Sequence, residues 1–334
     1  MSLDEGTNGR GSGFPYGAYF ADVTVMADLQ LPRGERQWRQ RPPDGQERHD
    51  VVLYLGCNVL RTMHLARTVA AIFRALGVDY VAVAGPAYCC GIQQHRAQDF
   101  DLAQRAGVLM VNHLEAFQPS SVVMWCPSCI SHYDDVVATY ASGPFAVQHV
   151  TEFLVERLAR LPIRPVSERT VALHSHTGAP QRDREARFGR RLLEAIPGVR
   201  MVELEPVPEL GRHCSYAVQR AVGMQRWREI VAAHLGQAVD AGAQTLATLY
   251  HSCHRELCGY ERDYPFAVES YIALLGESLG IGYPDTFKQY THWADEERIA
   301  EASLPCAQEN GVDAARTRQA IRRNFCGEPV PWSS

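Results

Sequence analysis

From residue 50 onward, short unbroken apolar runs take turns with longer stretches in which apolar side chains recur every three or four residues. DVVLYLGC is a run of the first kind and reads as a buried strand, while HLARTVAAIFRALG reads as an amphipathic helix stopped by Gly77. DYVAVAG is a second strand; a loop, the helix DLAQRAGVLMVNHLEAF, the strand SVVMWC and the helix VTEFLVERLARL follow. The next hundred residues repeat the order. TVALHSHT, VRMVELE and TLATLYHSC read as strands, and RFGRRLLEAIPG, WREIVAAHLGQAVDAG and FAVESYIALLGESLG as helices. Strands alternating with helices predict an α/β fold of two tandem repeats, each a small parallel sheet flanked by helices.

The repeats are expected over residues 50–165 and 166–282, with an N-terminal arm or linker over 1–49 and a helical or irregular extension over 283–334. Residues 1–13 are rich in Gly, Ser and Asn, and 32–49 mix five arginines with prolines, a composition of exposed chain. YGAYFADVTVMADLQL, between them, fits either a strand or a short helix laid on the body.

With 334 residues, 46% hydrophobic and 21% charged, the chain has the composition of a soluble globular protein large enough for two cores. A net charge of −5 gives no reason to expect nucleic acid. No apolar run approaches the ~20 residues of a membrane helix, so no integral membrane segment is expected. MSLDEGTNGRGSG has neither the basic start nor the apolar stretch of a secretory signal, so a cytoplasmic address is expected. Ten cysteines in a reducing compartment are poor candidates for structural disulfides, and their spacing has to explain them.

That spacing gives the duplication a register. Thirty-five residues separate Cys90 from Cys126, and thirty-five separate Cys214 from Tyr250. WCPSC then lies over LYHSC, so Cys129 matches Cys253, Tyr250 stands where Cys126 stands, and His213 falls opposite Cys89. LYLGC overlays LHSHT, which puts Thr177 opposite Cys57 with His176 beside it. The first repeat is cysteine-complete and the second cysteine-depleted.

In the first repeat every cysteine falls at the carboxyl end of an expected strand or in the loop after it, where open α/β sheets build their sites. A structural zinc is saturated by four ligands; a fifth thiol and an adjacent pair, Cys89 and Cys90, suit a multi-iron cluster in which neighbouring side chains reach different irons. Gly91 allows the close turn that aims both thiols the same way. Pro127 suits the first position of a helix, so Cys126 and Cys129 are expected at a helix N-terminus, where the dipole favours thiolates.

The arrangement C-x31-CCG-x35-CxxC resembles the cysteine-rich CCG domain of the heterodisulfide reductase B subunit and its relatives, over roughly residues 50–280 as two repeats. The resemblance implies that Cys57, Cys89, Cys90, Cys126 and Cys129 hold a non-cubane [4Fe-4S] iron–sulfur cluster, the adjacent pair spanning two irons. It also implies an oxidoreductase subunit that carries out thiol–disulfide or sulfur-carrier redox chemistry. In the second repeat only Cys214 and Cys253 of the five positions stay cysteine, with His174, His251, His254 and Cys258 nearby. His176, His213, Cys214 and Cys253 are a candidate second metal site, for zinc, for a histidine-ligated two-iron cluster, or for no metal.

No dinucleotide or Walker loop and no ferredoxin-type cysteine run occurs in the chain. Electrons therefore have to come through partners, a ferredoxin-type iron–sulfur subunit and beyond it a flavoprotein subunit. The alternative is a non-catalytic metal-binding subunit that docks a dehydrogenase to its electron acceptor. Cys306 and Cys326 are read as bystanders.

Overall fold

The computed structural model describes residues 14–211, 214 and 216–327. Eight strands form two sheets. The first holds β1 (Val51–Gly56), β2 (Tyr80–Ala84), β3 (Ser121–Met124) and β4 (Ala146–His149) in the order β2-β1-β3-β4. The second holds β5 (Arg169–His174), β6 (Val199–Val202), β7 (Thr245–Thr248) and β8 (Ala267–Ser270) in the order β6-β5-β7-β8. All pairings are parallel, as expected of strands joined through helical crossovers.

The helices are α1 (Tyr16–Asp28), α2 (Met63–Ala75), α3 (Ile92–Arg96), α4 (Phe100–Glu115), α5 (Pro127–Asp135), α6 (Val150–Glu156) and α7 (Pro180–Glu194). Then come α8 (Tyr216–Val222), α9 (Met224–Asp240), α10 (His251–Leu257), α11 (Tyr271–Ser278), α12 (Thr286–Trp293), α13 (Glu296–Glu309) and α14 (Ala314–Phe325). None of these is long and apolar enough to cross a membrane.

The sheets carry the duplication in their hydrogen-bond register. Tyr54 pairs with Met124 across β1 and β3, and His174 pairs with Thr248 across β5 and β7. Met124 and Thr248 each stand two residues before the matched pair Cys126 and Tyr250. His174 is thus the counterpart of Tyr54, and His176 that of Gly56.

Two elements differ from the expected pattern. β4 lies outside the predicted strands, and β8 occupies the first half of the stretch FAVESYIALLGESLG, which reads as one helix. Both are four-residue edge strands, AVQH and AVES, that pass into α6 and α11 without a turn residue. A pair of apolar residues followed by two polar ones carries no period for either state.

The N-terminal stretch is also less free than its composition suggests. YGAYFADVTVMAD forms α1, with Val23 and Met26 fully buried. Within 32–49, Trp38 is buried and Arg39 adds a parallel bridge to Val83 on the outer edge of β2, its N–H donating to the Ala82 carbonyl at 2.8 Å. The arginines point attention to solvent, but the tryptophan anchors the segment and the backbone covers a sheet edge.

The repeats meet along α2 and α11. The ring of Phe73 stacks on Phe153 within the first repeat, 4.8 Å between centroids, and α11 crosses α2 at Gly276. A Cβ on Gly276 would stand 2.7 Å from Thr68 Cγ2 and 2.9 Å from the Ile281 carbonyl oxygen. Gly276→Ala is therefore expected to force the repeats apart and destabilise the protein by about 1–3 kcal/mol, read as a lower thermal midpoint with secondary structure retained.

Candidate functional site

The cysteine clusters of both repeats lie at the carboxyl ends of the parallel strands. β1 delivers Cys57, the loop after β2 delivers Cys89 and Cys90, and β3 leads into Cys126 and Cys129 on α5. All five thiols are free, and between 1% and 8% of each residue is exposed. Cys126 is the N-cap of α5 and Pro127 its first residue, so both thiols of CPSC sit in the positive end of the helix dipole. The Cys129 N–H donates to the Cys126 carbonyl at 3.0 Å.

Two glycines make the cradle. Gly56 has φ +83°, and a Cβ there would lie 3.0 Å from Cys126 Cβ and 3.4 Å from Cys129 Sγ. Gly91 has φ +86°, and its Cβ would lie 2.5 Å from the Ala103 carbonyl oxygen; only glycine lets the chain turn there against α4. The Gly91 N–H donates to Cys89 Sγ at 3.4 Å.

The thiols lie close enough to shift one another's acidity. Cys57 donates to Cys89, which together with burial raises Cys57 and, through the same bond, holds Cys89 below the usual thiol range. Cys129 donates to Cys126 and is raised, while Cys126 is held well below, helped by His251 of the second repeat. Neither ring nitrogen of His251 has a well-formed hydrogen bond among the described residues, and its side chain is buried.

In the second repeat the same strand ends bring together His174, His176, Cys214 and Cys253, all buried, with donor atoms within 4.8 Å of one another. His176 Nε2 stands 3.1 Å from Cys253 Sγ and 3.8 Å from Cys214 Sγ; His174 Nε2 stands 3.3 Å from Cys214 Sγ. The other ring nitrogens are held from behind, His174 Nδ1 by His234 Nε2 at 2.8 Å and His176 Nδ1 by the Gly211 carbonyl at 3.0 Å. That leaves Nε2 of each ring turned to the sulfurs, the orientation that metal-binding histidines take from such partners. Burial pushes the Cys214 thiol up; against its own burial, Cys253 is held well below the usual thiol range by Cys214, His176 and His174.

Of the residues read from sequence, His176, Cys214 and Cys253 converge, and His213 lies outside the described residues. His174 stands with the three. Its place at the end of β5, two residues before His176, was the available signal. His234, on α9, carried no signal in its own segment.

Tyr250 occupies the Cys126 position but turns its hydroxyl away from the sulfurs, donating to Glu185. Glu185 also accepts from Arg182 Nη1 at 2.6 Å, and Arg182 Nη2 reaches the first repeat, donating to the Pro127 carbonyl at 2.8 Å and to Ser131 Oγ at 2.5 Å. Cys258 is buried, Cys306 half-buried and Cys326 exposed.

Residues 51–134, a span that contains all five first-repeat cysteines, match the cysteine-rich domain family CCG. The chain carries a CCG domain. It is 26% identical over 254 residues to the D subunit of dihydromethanophenazine:CoB–CoM heterodisulfide reductase from Methanosarcina acetivorans, covering 72% of this chain and 62% of that protein. It is 28% identical over 256 residues to the protein of the same name from Methanosarcina mazei, with the same coverages of 72% and 62%. Beyond the CCG domain the likeness therefore runs through the second repeat, and the chain spans about three-fifths of the length of these relatives. Among solved structures, an aspartate racemase homologue from Pyrococcus horikoshii aligns with 69% of this chain and 97% of its own at 12% identity and a TM-score of 0.32.

The Arg182 network ties the CCG domain to the second repeat. Arg182→Ala leaves the Glu185 carboxylate buried beside a hydroxyl alone and is expected to cost about 3–5 kcal/mol. Arg182→Met combined with Glu185→Leu removes both charges and is expected to recover most of the loss, measured by denaturant unfolding of the two variants beside the parent.

Proposed function

We propose that this chain is the iron–sulfur redox subunit of a heterodisulfide-reductase-like complex, in which Cys57, Cys89, Cys90, Cys126 and Cys129 hold a non-cubane [4Fe-4S] cluster. The observation that carries the reading is the convergence of five buried thiols at three adjacent strand ends, inside the span that matches the CCG family. The residues fit such a group. Thiolates crowded together repel unless cations neutralise them, and thiols release their protons when metal binds. Gly56 and Gly91 keep the floor of the site free of side chains, and the N-terminus of α5 favours the anionic product.

When bound, such a cluster supplies single electrons and an iron atom to which substrate sulfur attaches. The net reaction is a disulfide, or a sulfur carrier in its oxidised form, taking two electrons and two protons to give two thiols, or the reverse. Electrons pass through a ferredoxin-type iron–sulfur subunit, with a flavoprotein subunit beyond it. The protein's own part is to hold the thiolates, exclude water and present the strand ends.

For the second repeat we propose a single zinc held by His174, His176, Cys214 and Cys253. Two imidazoles and two thiolates in a closed set suit a tetrahedral structural ion. His176 stands where Gly56 stands, so its ring fills the volume that the first repeat leaves bare, and Tyr250 removes a fourth-position thiol.

Anaerobically purified chain is expected to carry about four irons with matching acid-labile sulfide and about one zinc. Cys89→Ser or Cys90→Ser should lower iron and abolish the paramagnetic signal of the oxidised protein while zinc stays. The double variant Cys214→Ala/Cys253→Ala should lose zinc and keep iron. About eight irons per chain would overturn the division between repeats, and zinc without iron or sulfide would favour the docking-subunit alternative.

A further inference from the structure

Away from both cysteine sites, three groups that neither of them uses meet between the repeats. His64 comes from α2 of the first repeat, His254 from α10 of the second, and Asp285 is the residue that caps α12. Their donor atoms all lie within 4.8 Å of one another. His254 Nε2 is 2.6 Å from Asp285 Oδ2, and His64 Nδ1 is 3.3 Å from Asp285 Oδ1. The two rings stand 5.3 Å apart, edge to face.

An ordinary hydrogen-bonded triad would leave these groups satisfied, and it does not. His64 Nδ1 faces the carboxylate without the alignment of a hydrogen bond and has no other partner among the described residues, although the side chain is only 4% exposed. A buried ring nitrogen beside a carboxylate with no aligned hydrogen bond is a pair of groups that a cation between them would satisfy. Donors bound to one tetrahedral ion at 2.0–2.2 Å lie about 3.4 Å apart, close to the His64–Asp285 spacing of 3.3 Å, while the His254–Asp285 contact would lengthen on binding.

The same three residues form one wall of a cavity of about 420 Å³, with Lys288, Glu269 and Tyr283 on other sides. Asp285 is fixed by its capping role, accepting from the Lys288 N–H at 3.0 Å, which orients the carboxylate between the rings before any ion arrives. We propose that His64, His254 and Asp285 bind a divalent first-row transition-metal ion whose remaining positions face this cavity. Two imidazoles and one carboxylate from three separate elements leave the coordination incomplete, as in sites where the metal takes a water or a small oxygen-donor ligand. The absence of thiolate sets this site apart from the other two in its metal preference.

Manganese(II) is the probe, because oxygen and nitrogen donors hold it and thiolate sites do not select it. The full chain, purified anaerobically, is titrated with manganese(II), followed by the magnetic resonance signal of the free ion, and then analysed for every bound metal. Wild type is expected to hold about one ion per chain beyond the iron and the Cys214/Cys253-dependent ion; Asp285→Asn and His254→Gln should each lose that ion at least tenfold in affinity while iron and sulfide are unchanged. Bound manganese should show spin-echo couplings to two imidazole nitrogens and enhance water-proton relaxation, the mark of a water in an open position. Should the variants fail to fold, those couplings in wild type decide. No additional ion in wild type, equal binding in the variants, or bound manganese without imidazole coupling overturns the site; coupling without water relaxation overturns its open position.

Discussion

Arg182 is a full-length guanidinium with 1% exposure, lying where the two repeats touch. A charge that deep is costly unless oxygens face it, and here both terminal nitrogens find them, from both sides: Glu185 on its own helix, Pro127 and Ser131 on α5 of the first repeat. The requirement runs outward from there. α5 has to present its first turn to α7, which fixes the pose of Cys126 and Cys129; Glu185 has to accept from Tyr250, which draws that side chain out of the second site. One buried cation thus holds the CCG motif helix in place and keeps the equivalent position of the other repeat from competing for metal.

The repeat architecture was legible because it is written in strong local signals. Apolar runs such as VVLYLG, the glycine stop at Gly77 and the equal Cys90–Cys126 and Cys214–Tyr250 spacings survive in one dimension. The five first-repeat thiols were legible for the same reason, since strand ends are predictable and cysteine is a rare letter. What was hidden depends on contacts between distant segments. β4 and β8 exist because a neighbouring strand offers hydrogen bonds, and α1 and Trp38 are buried because the sheet and the C-terminal helices cover them. His174 stood beside the candidate set in sequence, but its approach to Cys214 follows only from the fold; it reaches the second site from the position of Tyr54, whose hydroxyl in the first repeat donates to the Tyr88 carbonyl. His64 and Asp285 are 221 residues apart in sequence, and nothing short of the fold brings them together.

The two repeats also show how a duplicated scaffold diverges at small expense. β1 and β5 keep matching register into the third strand of each sheet, and the backbones diverge just beyond it, where Gly56 has φ +83° and His176 does not take a positive φ. Exchanging glycine for histidine at one position, Gly56 against His176, converts an open floor beneath the thiols into a ring that reaches them. Exchanging cysteine for tyrosine at another redirects a side chain from sulfur chemistry to a hydrogen-bonded anchor.

Helices α1 and α14 close together on the loop that follows Cys57. Arg61, 4% exposed, bonds Asp22 of α1 at 2.6 Å and Asn324 of α14 at 2.6 Å, while Asn310 donates to the carbonyls of Asp28 and Leu31 at 3.0 and 2.9 Å. Segments almost three hundred residues apart therefore form a buckle over a single turn of the first repeat. Local opening of a protein is easiest where few buried contacts must break. Here opening is coupled: releasing the Cys57 loop means undoing α1 and α14 together. The clasp thus ties the backbone that carries Cys57 to both ends of the described chain, and a change in either helix bears on that loop without touching a cysteine.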